Sequence, residues 1–148
     1  MLKVAILMGS ESDRPTMEKA EKILSEFDVE FETAVISAHR SPERLTSFVL
    51  DAPGRGVRVF ICGAGLAAAL PGAVAAHTDL PVIGVPLDAS LGGIDSLLSI
   101  AQMPPGVPVA CVGVNNARNG AYLAISILAL EDEGIAALWH RFREEQRA

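Results

Sequence analysis

The sequence is poor in cysteine and in aromatic residues, and its basic residues are outnumbered. Its 148 residues include 2 cysteines and only 5% aromatic residues. Two cysteines, Cys62 and Cys111, are too few for a disulfide scaffold. Each closes an apolar run, so we expect reduced, buried thiols in a cytosolic protein. No spacing typical of metal ligands is present, and no metal is expected.

Positive charge and long apolar runs are also scarce. The chain has 12 Lys and Arg against 18 Asp and Glu, for a formal net charge of -6. A nucleic-acid-binding protein shows the opposite excess, so no nucleic-acid partner is expected. No run of about 18 apolar residues lacks a breaker, which argues against a transmembrane helix. Met1–Met8 has no basic leader and is followed at once by Gly9–Asp13, so we expect no signal peptide and a cytoplasmic location.

What the sequence does contain is a regular alternation of short apolar runs and helix-like segments. Half of the residues are apolar, and the runs are nearly continuous, as in strands that are covered on both faces. The length fits a single domain, residues 1–148, with its core over about residues 3–130. The pattern predicts an α/β fold, a three-layer, doubly wound parallel sheet in flavodoxin-like order. The predicted strands are Lys3–Met8, Phe31–Ile36, Val57–Cys62, Pro81–Val85 and Val107–Val112, and the predicted helices are Arg14–Phe27, Pro42–Leu50, Leu66–His77, Ile94–Gln102 and Asn116–Leu130.

An extra amphipathic helix is predicted at the C-terminus, over about residues 132–147. Ile135, Leu138, Trp139 and Phe142 fall at i, i+3, i+4 and i+7, with charged residues on the other side. This apolar stripe can cover the chain's own domain. It can equally pack on a neighbouring subunit, since Trp and Phe are favoured at interfaces.

Small, hydroxyl-bearing and glycine residues collect after the carboxyl ends of the predicted strands, where an open parallel sheet binds its ligands. We number these segments as loops in chain order. They are the first loop Gly9–Asp13, the second loop Ser37–Pro42, the third loop Gly63–Gly72, the fourth loop Pro86–Gly93 and the fifth loop Gly113–Asn116.

The first loop suits a phosphate or a ribose. Gly9 permits a tight turn, and Ser10 and Ser12 offer hydroxyl and backbone N–H groups before a helix N-terminus, which favours anions. Asp13 can accept hydrogen bonds from a sugar diol. The alternative is that Ser12 or Asp13 only caps the helix that contains Pro15.

The second loop brings together an imidazole and a guanidinium. Arg40 can bind a phosphate through two parallel hydrogen bonds. His39 can exchange a proton near neutral pH. A structural role for His39 is the alternative. His77 and His140 are expected to be structural or solvated.

The third loop offers a competing interpretation. Gly63–Ala68 matches the G-x-G-x-x-G/A dinucleotide fingerprint, and Asp88 follows 20 residues after Ala68. This pattern would indicate an oxidoreductase that uses NAD. The context is poor, because Pro71–Gly72 interrupts the following helix almost at once.

Together, these loops resemble the N5-carboxyaminoimidazole ribonucleotide mutase family of purine biosynthesis, also known as the catalytic subunit of phosphoribosylaminoimidazole carboxylase (the PurE family). The resemblance runs from about Val4 to Leu130, and its motifs occur in the same order and at similar spacing. They are Met8–Asp13, Ser37–Pro42, Gly63–Gly65 with Leu70–Gly72, Leu80–Pro86, Gly93–Leu97 and Gln102–Pro104.

The resemblance implies a flavodoxin-like homo-octamer that works without a metal or an organic cofactor. Its substrate is a ribonucleotide, and CO2 is released and recaptured. His39 matches the catalytic histidine, Ser10 and Asp13 match the substrate-binding serine and aspartate, and Arg40 matches the arginine near the phosphate. The full set of expected substrate-binding residues is Ser10, Ser12, Asp13, Ser37, Ala38, Arg40, Gly63, Ala64, Gly65, Ala69 and Leu70.

Two positions depart from the bacterial mutase pattern. The mutases usually have a second histidine in the third loop, where this chain has Ala69, and Arg14 stands where tryptophan or leucine is common. The related enzymes that carboxylate aminoimidazole ribonucleotide directly with CO2 also lack that histidine. Because Arg40, Pro71 and Gln102–Pro104 look like the mutases, we predict a mutase. A direct carboxylase and a non-catalytic nucleotide-binding module are the alternatives.

Overall fold

The computed structural model describes all 148 residues. Its core is one sheet of five parallel strands in the order β2-β1-β3-β4-β5, which confirms the predicted flavodoxin-like fold. The strands are β1 Leu2–Met8, β2 Glu30–Val35, β3 Val59–Ala64, β4 Val82–Pro86 and β5 Ala110–Cys111. The helices are α1 Arg14–Glu26, α2 Pro42–Arg55, α3 Ala69–Ala75, α4 Ile94–Ala101, α5 Ala117–Leu128 and α6 Glu133–Arg147.

Helices cover both faces of the sheet, and this explains the nearly continuous apolar runs of the central strands. In β1, Val4, Ile6 and Met8 belong to one core cluster, together with residues of α1, α5 and α6. Ala5 and Leu7 point to the other face and join residues of α2, α3 and α4. All five of these side chains are fully buried, so each of these five positions has to be apolar.

Element boundaries differ from the prediction where backbone conformation decides them. Helix α2 runs on to Arg55 and ends at Gly56, whose φ of 106° only glycine adopts without strain. Strand β5 is two residues long rather than six, and it starts only after Pro108, which has no N–H to donate to a ladder. Cys111 is consequently half-buried, and only Cys62 is a fully buried thiol, so the prediction of two buried thiols is wrong for Cys111.

The C-terminal helix packs on the chain's own core. Phe142 of α6 stacks on Tyr122 of α5 with ring centroids 4.9 Å apart, and the Trp139 ring packs against Tyr122 in a tilted arrangement at 6.0 Å. Phe27, at the end of α1, completes the cluster at 5.5 Å from Phe142. The first of the two interpretations of the apolar stripe is therefore confirmed. None of the six helices has the length and hydropathy that crossing a bilayer requires.

Candidate active site

Because all five strands are parallel, the loops that follow them meet at one edge of the sheet. The first four loops enclose a cavity of about 470 Å³ there. All the predicted site residues except Gly63 line this cavity. The lining residues are Gly9, Ser10, Ser12, Asp13, Ser37, Ala38, His39, Arg40, Ala64, Gly65, Leu66, Ala67, Ala68, Ala69, Leu70 and Ala89.

A larger cavity, of about 780 Å³, lies at the opposite edge of the sheet. It lies between the end of α3 and the segments that directly precede β4 and β5. His77 and Asp79 line it, but no lysine, arginine or predicted site residue does. Of the two cavities, only the smaller one is lined by a guanidinium, that of Arg40, which can attract an anion.

The first loop forms a short 3₁₀ turn, Glu11–Asp13, ahead of α1. Ser10 caps this turn: its Oγ accepts a hydrogen bond from the Ser12 backbone N–H at 3.3 Å and lies 2.9 Å from the Ser12 Oγ. Asp13 makes no capping bond to α1 through its side chain. Asp13 occupies the N-cap position of α1 without a capping bond from its side chain, whereas Ser10 caps only the preceding turn, so the Asp13 carboxylate is left to the cavity.

The Asp13 carboxyl is half-buried and has no cationic partner among the ion pairs of the fold. Burial raises its pKa, and a hydrogen bond from the backbone of Ser10 offsets part of that rise. A carboxylate that has lost water without gaining a cation retains capacity to accept hydrogen bonds. Hydroxyl groups of a sugar would supply them.

Arg14 does not reach the cavity, although it follows the first loop. Its guanidinium donates to both carboxylate oxygens of Glu11, at 2.7 and 3.1 Å. This pairing raises the pKa of Arg14 and lowers the pKa of Glu11. The arginine at position 14 therefore forms an exposed ion pair with Glu11 outside the cavity, and it adds no charge to the cavity.

The second loop carries two candidate functional side chains, His39 and Arg40, that make no side-chain hydrogen bond to the rest of the protein. Ser37 fixes the turn, because its Oγ accepts from the Arg40 backbone N–H at 3.2 Å and its carbonyl accepts from the Ser41 N–H at 2.9 Å. Among the side-chain hydrogen bonds of the fold, none involves the His39 imidazole or the Arg40 guanidinium. Both side chains are exposed at the cavity, so a structural role for His39 has no partner to support it.

The third and fourth loops touch where the cavity wall is apolar. A side chain on Gly65 would place its Cβ 3.0 Å from the Ala89 Cβ and 3.4 Å from the Leu87 carbonyl oxygen. Leu66 and Ala68 have φ values of 56° and 46°, so α3 begins only at Ala69. This left-handed bend is not the strand-to-helix turn of a dinucleotide fingerprint, in which the helix opens directly after the glycines.

Gly63 has a different role from the one that the sequence suggested. It lies inside β3 and is buried, and a Cβ at this position would collide with the Met17 Sδ of α1. The absence of a side chain lets α1 approach the sheet, so Gly63 supports the helix that follows the first loop and does not line the cavity. A glycine within a strand is a general signal of such close approach.

Five further residues that are not among the expected substrate-binding residues also line the cavity: Gly9, Leu66, Ala67, Ala68 and Ala89. None of the five carries a polar side-chain atom: Gly9 has no side chain, the three alanines have only a methyl group, and Leu66 has a hydrocarbon side chain. The only signal that could have indicated them is position, since each follows the end of a parallel strand.

The cavity therefore combines charge at one side with an apolar wall at the other. Its ionisable side chains are Asp13, His39 and Arg40, and half of its 16 lining residues are hydrophobic. Arg40 places a positive charge at the cavity, whereas the chain as a whole has a net charge of -6 and repels anions. No group of three or more His, Cys, Asp or Glu side chains is placed to hold a metal ion.

Comparison with known proteins adds independent evidence. The profile of a family described as AIR carboxylase matches residues 3–148. The chain is 52% identical over 148 residues to the N5-carboxyaminoimidazole ribonucleotide mutase of Pyrococcus abyssi. The alignment covers 99% of this chain and 85% of that protein. It is 53% identical over 137 residues to the phosphoribosylaminoimidazole carboxylase of Ogataea methanolica, covering 92% of this chain and 25% of that protein.

A solved structure shares the fold. A substituted form of Treponema denticola PurE2 superposes with a TM-score of 0.90 at 30% sequence identity, covering 99% of this chain and 92% of that chain.

Proposed function

The chain belongs to the AIR carboxylase family, and from this membership we propose that it converts N5-carboxyaminoimidazole ribonucleotide to 4-carboxyaminoimidazole ribonucleotide. The reaction is an isomerisation in de novo purine biosynthesis. The observation that carries the proposal is the cavity in which His39 and Arg40 of one loop meet Ser10 and Asp13 of another, beside a wall of alanines. Each of these groups has a task in the reaction.

The first task is to hold the ribonucleotide. The Arg40 guanidinium is unpaired within the chain and can bind the phosphate bidentately, assisted by the backbone N–H groups of the first loop. Asp13 accepts hydrogen bonds from the ribose hydroxyls, and Ser10 and Ser12 present their hydroxyls beside it. These contacts fix the imidazole ring of the substrate with its carboxylated side toward the third loop.

The second task is to break the N–CO2 bond. The substrate is a carbamate, which loses CO2 once its nitrogen takes up a proton. His39 donates that proton as a general acid. The products of this step are aminoimidazole ribonucleotide, which is an enamine, and CO2, with the imidazole of His39 left neutral.

The third task is to form the C–C bond. The ring carbon of the enamine attacks CO2, and the resulting tetrahedral carbon still carries its hydrogen. The neutral His39 removes that hydrogen as a proton, which restores the aromatic ring and returns the imidazole to its starting form. One proton is given and one is taken, so the two halves balance without any further reagent.

The fourth task is to keep CO2 in place and water out. Ala64, Gly65, Ala67, Ala68 and Ala69 form a surface that offers CO2 few polar competitors. Because CO2 stays in contact with the ring carbon, its capture is effectively intramolecular rather than bimolecular. Exclusion of water prevents the hydration of CO2.

One observation favours a second candidate, the direct carboxylation of aminoimidazole ribonucleotide by CO2. Ala69 lines the cavity at the place where a second histidine is usual in the mutases, so His39 is the only imidazole there. The Ogataea methanolica relative is named as a carboxylase.

We further propose that the chain acts in the cytoplasm as a homo-octamer. The family resemblance supports this assembly, and so does an exposed apolar patch at the start of α4. Leu91, Ile94 and Leu98 are 75%, 57% and 53% exposed on the surface of α4 and the loop before it. A patch of this kind typically marks a contact with another protein surface.

The proposed function is tested by offering the purified protein two substrate sets in parallel. One is the N-carboxylated ribonucleotide with CO2 scavenged, and the other is aminoimidazole ribonucleotide with bicarbonate. We expect the 4-carboxy product in the first set, read out by chromatography against a no-enzyme control. Product only in the second set would make the protein a direct carboxylase. Binding of either ribonucleotide without product in either set would make it a binding module.

A further inference from the structure

The fourth loop supplies part of the cavity wall, although the proposed chemistry gives none of its residues a task. Its Ala89 methyl group lines the cavity against Gly65. Residues 88–92 are all exposed, whereas Leu87 before them and Gly93 after them are buried. The loop therefore projects from the fold as an exposed segment on a buried base.

A single hydroxyl group joins the two ends of that base. The Ser96 Oγ lies 2.9 Å from the Leu87 carbonyl oxygen and 3.0 Å from the Gly93 carbonyl oxygen. Ser96 is the one fully buried polar side chain of the core, at 0% exposure. Because a hydroxyl has one hydrogen, it donates to one carbonyl at a time and remains within reach of both.

The shape of the fourth loop requires such support. Leu91, Gly92 and Gly93 have φ values of 52°, 66° and 81°, so three successive residues adopt the left-handed conformation. Leucine pays a steric cost in that conformation, and the loop keeps it only if its surroundings fix it. Besides Ser96, the Asn115 side-chain oxygen accepts from the Asp88 N–H at 3.0 Å.

The base of the loop also connects to the apolar wall. The Leu87 N–H donates to the Ala64 carbonyl oxygen at 2.9 Å, at the point where β3 ends and the third loop begins. Ala89 then faces Gly65 so closely that a side chain at residue 65 would crowd the Ala89 methyl group. Movement of residues 88–92 away from the third loop would open the cavity on its apolar side, where the reaction holds CO2.

We propose that Ser96 is a positioning residue that keeps the released CO2 in the cavity between the two halves of the reaction. The inference rests on the proposed function. While the loop is held, the enamine carbon recaptures CO2. When the loop is loose, CO2 leaves and the enamine is released as aminoimidazole ribonucleotide, its nitrogen having kept the proton that His39 donated.

The test compares Ser96→Ala with the matched control Ser99→Ala. Ser99 lies on the same helix, and its Oγ donates to the Asp95 carbonyl oxygen at 2.8 Å without touching the fourth loop. Each protein receives the N-carboxylated ribonucleotide, and the ratio of aminoimidazole ribonucleotide to 4-carboxy product is measured after the uncatalysed decarboxylation is subtracted. Only folded, active molecules form the two products that remain after this subtraction, so a loss of folded protein does not change their ratio.

We expect Ser96→Ala to raise the ratio about tenfold over wild type, the effect of losing one buried hydrogen bond, and Ser99→Ala to leave it unchanged. Equal ratios for the two variants would overturn the inference. If Ser96→Ala does not fold, Asn115→Gly replaces it, because glycine keeps the φ of 59° at that position and removes only the bond to Asp88. A wild-type protein that makes no 4-carboxy product would overturn the proposed function instead.

Discussion

The substitution His39→Asn is expected to lower kcat for the isomerisation by about two to four orders of magnitude, the usual contribution of a general acid and base. His39 is the only imidazole that lines the cavity, so no neighbouring group can replace it in either proton transfer. Its side chain is exposed and makes no hydrogen bond within the chain, so the melting temperature should stay that of the wild type. Steady-state kinetics and thermal melts measure the two quantities.

A matched control for this variant is His77→Asn. His77 lies at the opposite edge of the sheet, where its Nε2 is 3.4 Å from the Thr46 Oγ1. The same change of side chain there should leave kcat unaffected. Wild-type turnover in His39→Asn would assign His39 a structural role and leave both proton transfers without a group to perform them.

The substitution Arg40→Met is expected to raise KM by about 10- to 100-fold, which corresponds to the loss of a charge-assisted hydrogen bond to the phosphate. Arg40 is the only arginine or lysine that lines the cavity, and the overall net charge of -6 repels anions. Methionine keeps most of the length of the side chain, so the loop should hold its shape. Because the phosphate is remote from the reacting atoms, kcat should change less than KM.

Arg44→Met separates this contact from a general effect of charge. Arg44 is exposed on α2 and donates to the Val35 carbonyl oxygen at 3.3 Å, outside the cavity. Initial rates over a range of substrate concentrations give KM and kcat for both variants. An equal rise of KM in Arg44→Met would mean that the overall field, rather than the Arg40 guanidinium, attracts the substrate.

The sequence predicts the architecture well because burial on two faces leaves a strong pattern. Strands β1 and β3 lie inside the sheet, so nearly every residue is apolar and the runs are easy to recognise. The position of the site follows from the same pattern, because parallel strands bring their carboxyl ends to one edge. His39 and Arg40 could be identified because an imidazole and a guanidinium stand next to each other at that edge.

Other features could not be predicted, because they depend on contacts between distant segments. Gly63 looks like a loop glycine in the sequence, yet the close packing of Met17 of α1 against β3 determines its role. Ala89 carries only a methyl group, and nothing in the residue itself indicates that it meets Gly65 across 24 positions of sequence. Ser96 reads as an ordinary helical serine until the fourth loop is seen to close on its hydroxyl.

The departure at Ala69 shows how one small residue affects the interpretation of the site. Ala69 lines the cavity, so a methyl group stands where the mutases usually have the second histidine. The chemistry then requires one imidazole to serve both halves of the reaction. It also leaves the wall between Ala64 and Ala69 entirely apolar, which suits the retention of CO2.

The most direct measurement follows the carboxyl carbon. The N-carboxylated ribonucleotide, labelled with ¹³C in its carboxylate, is converted in excess unlabelled bicarbonate with carbonic anhydrase present, and the label in the 4-carboxy product is read by mass spectrometry. Transfer of CO2 within the cavity predicts that nearly all of the product keeps the label. A product whose carboxylate has the isotope content of the bicarbonate would contradict it, because the carbon would then have come from solution.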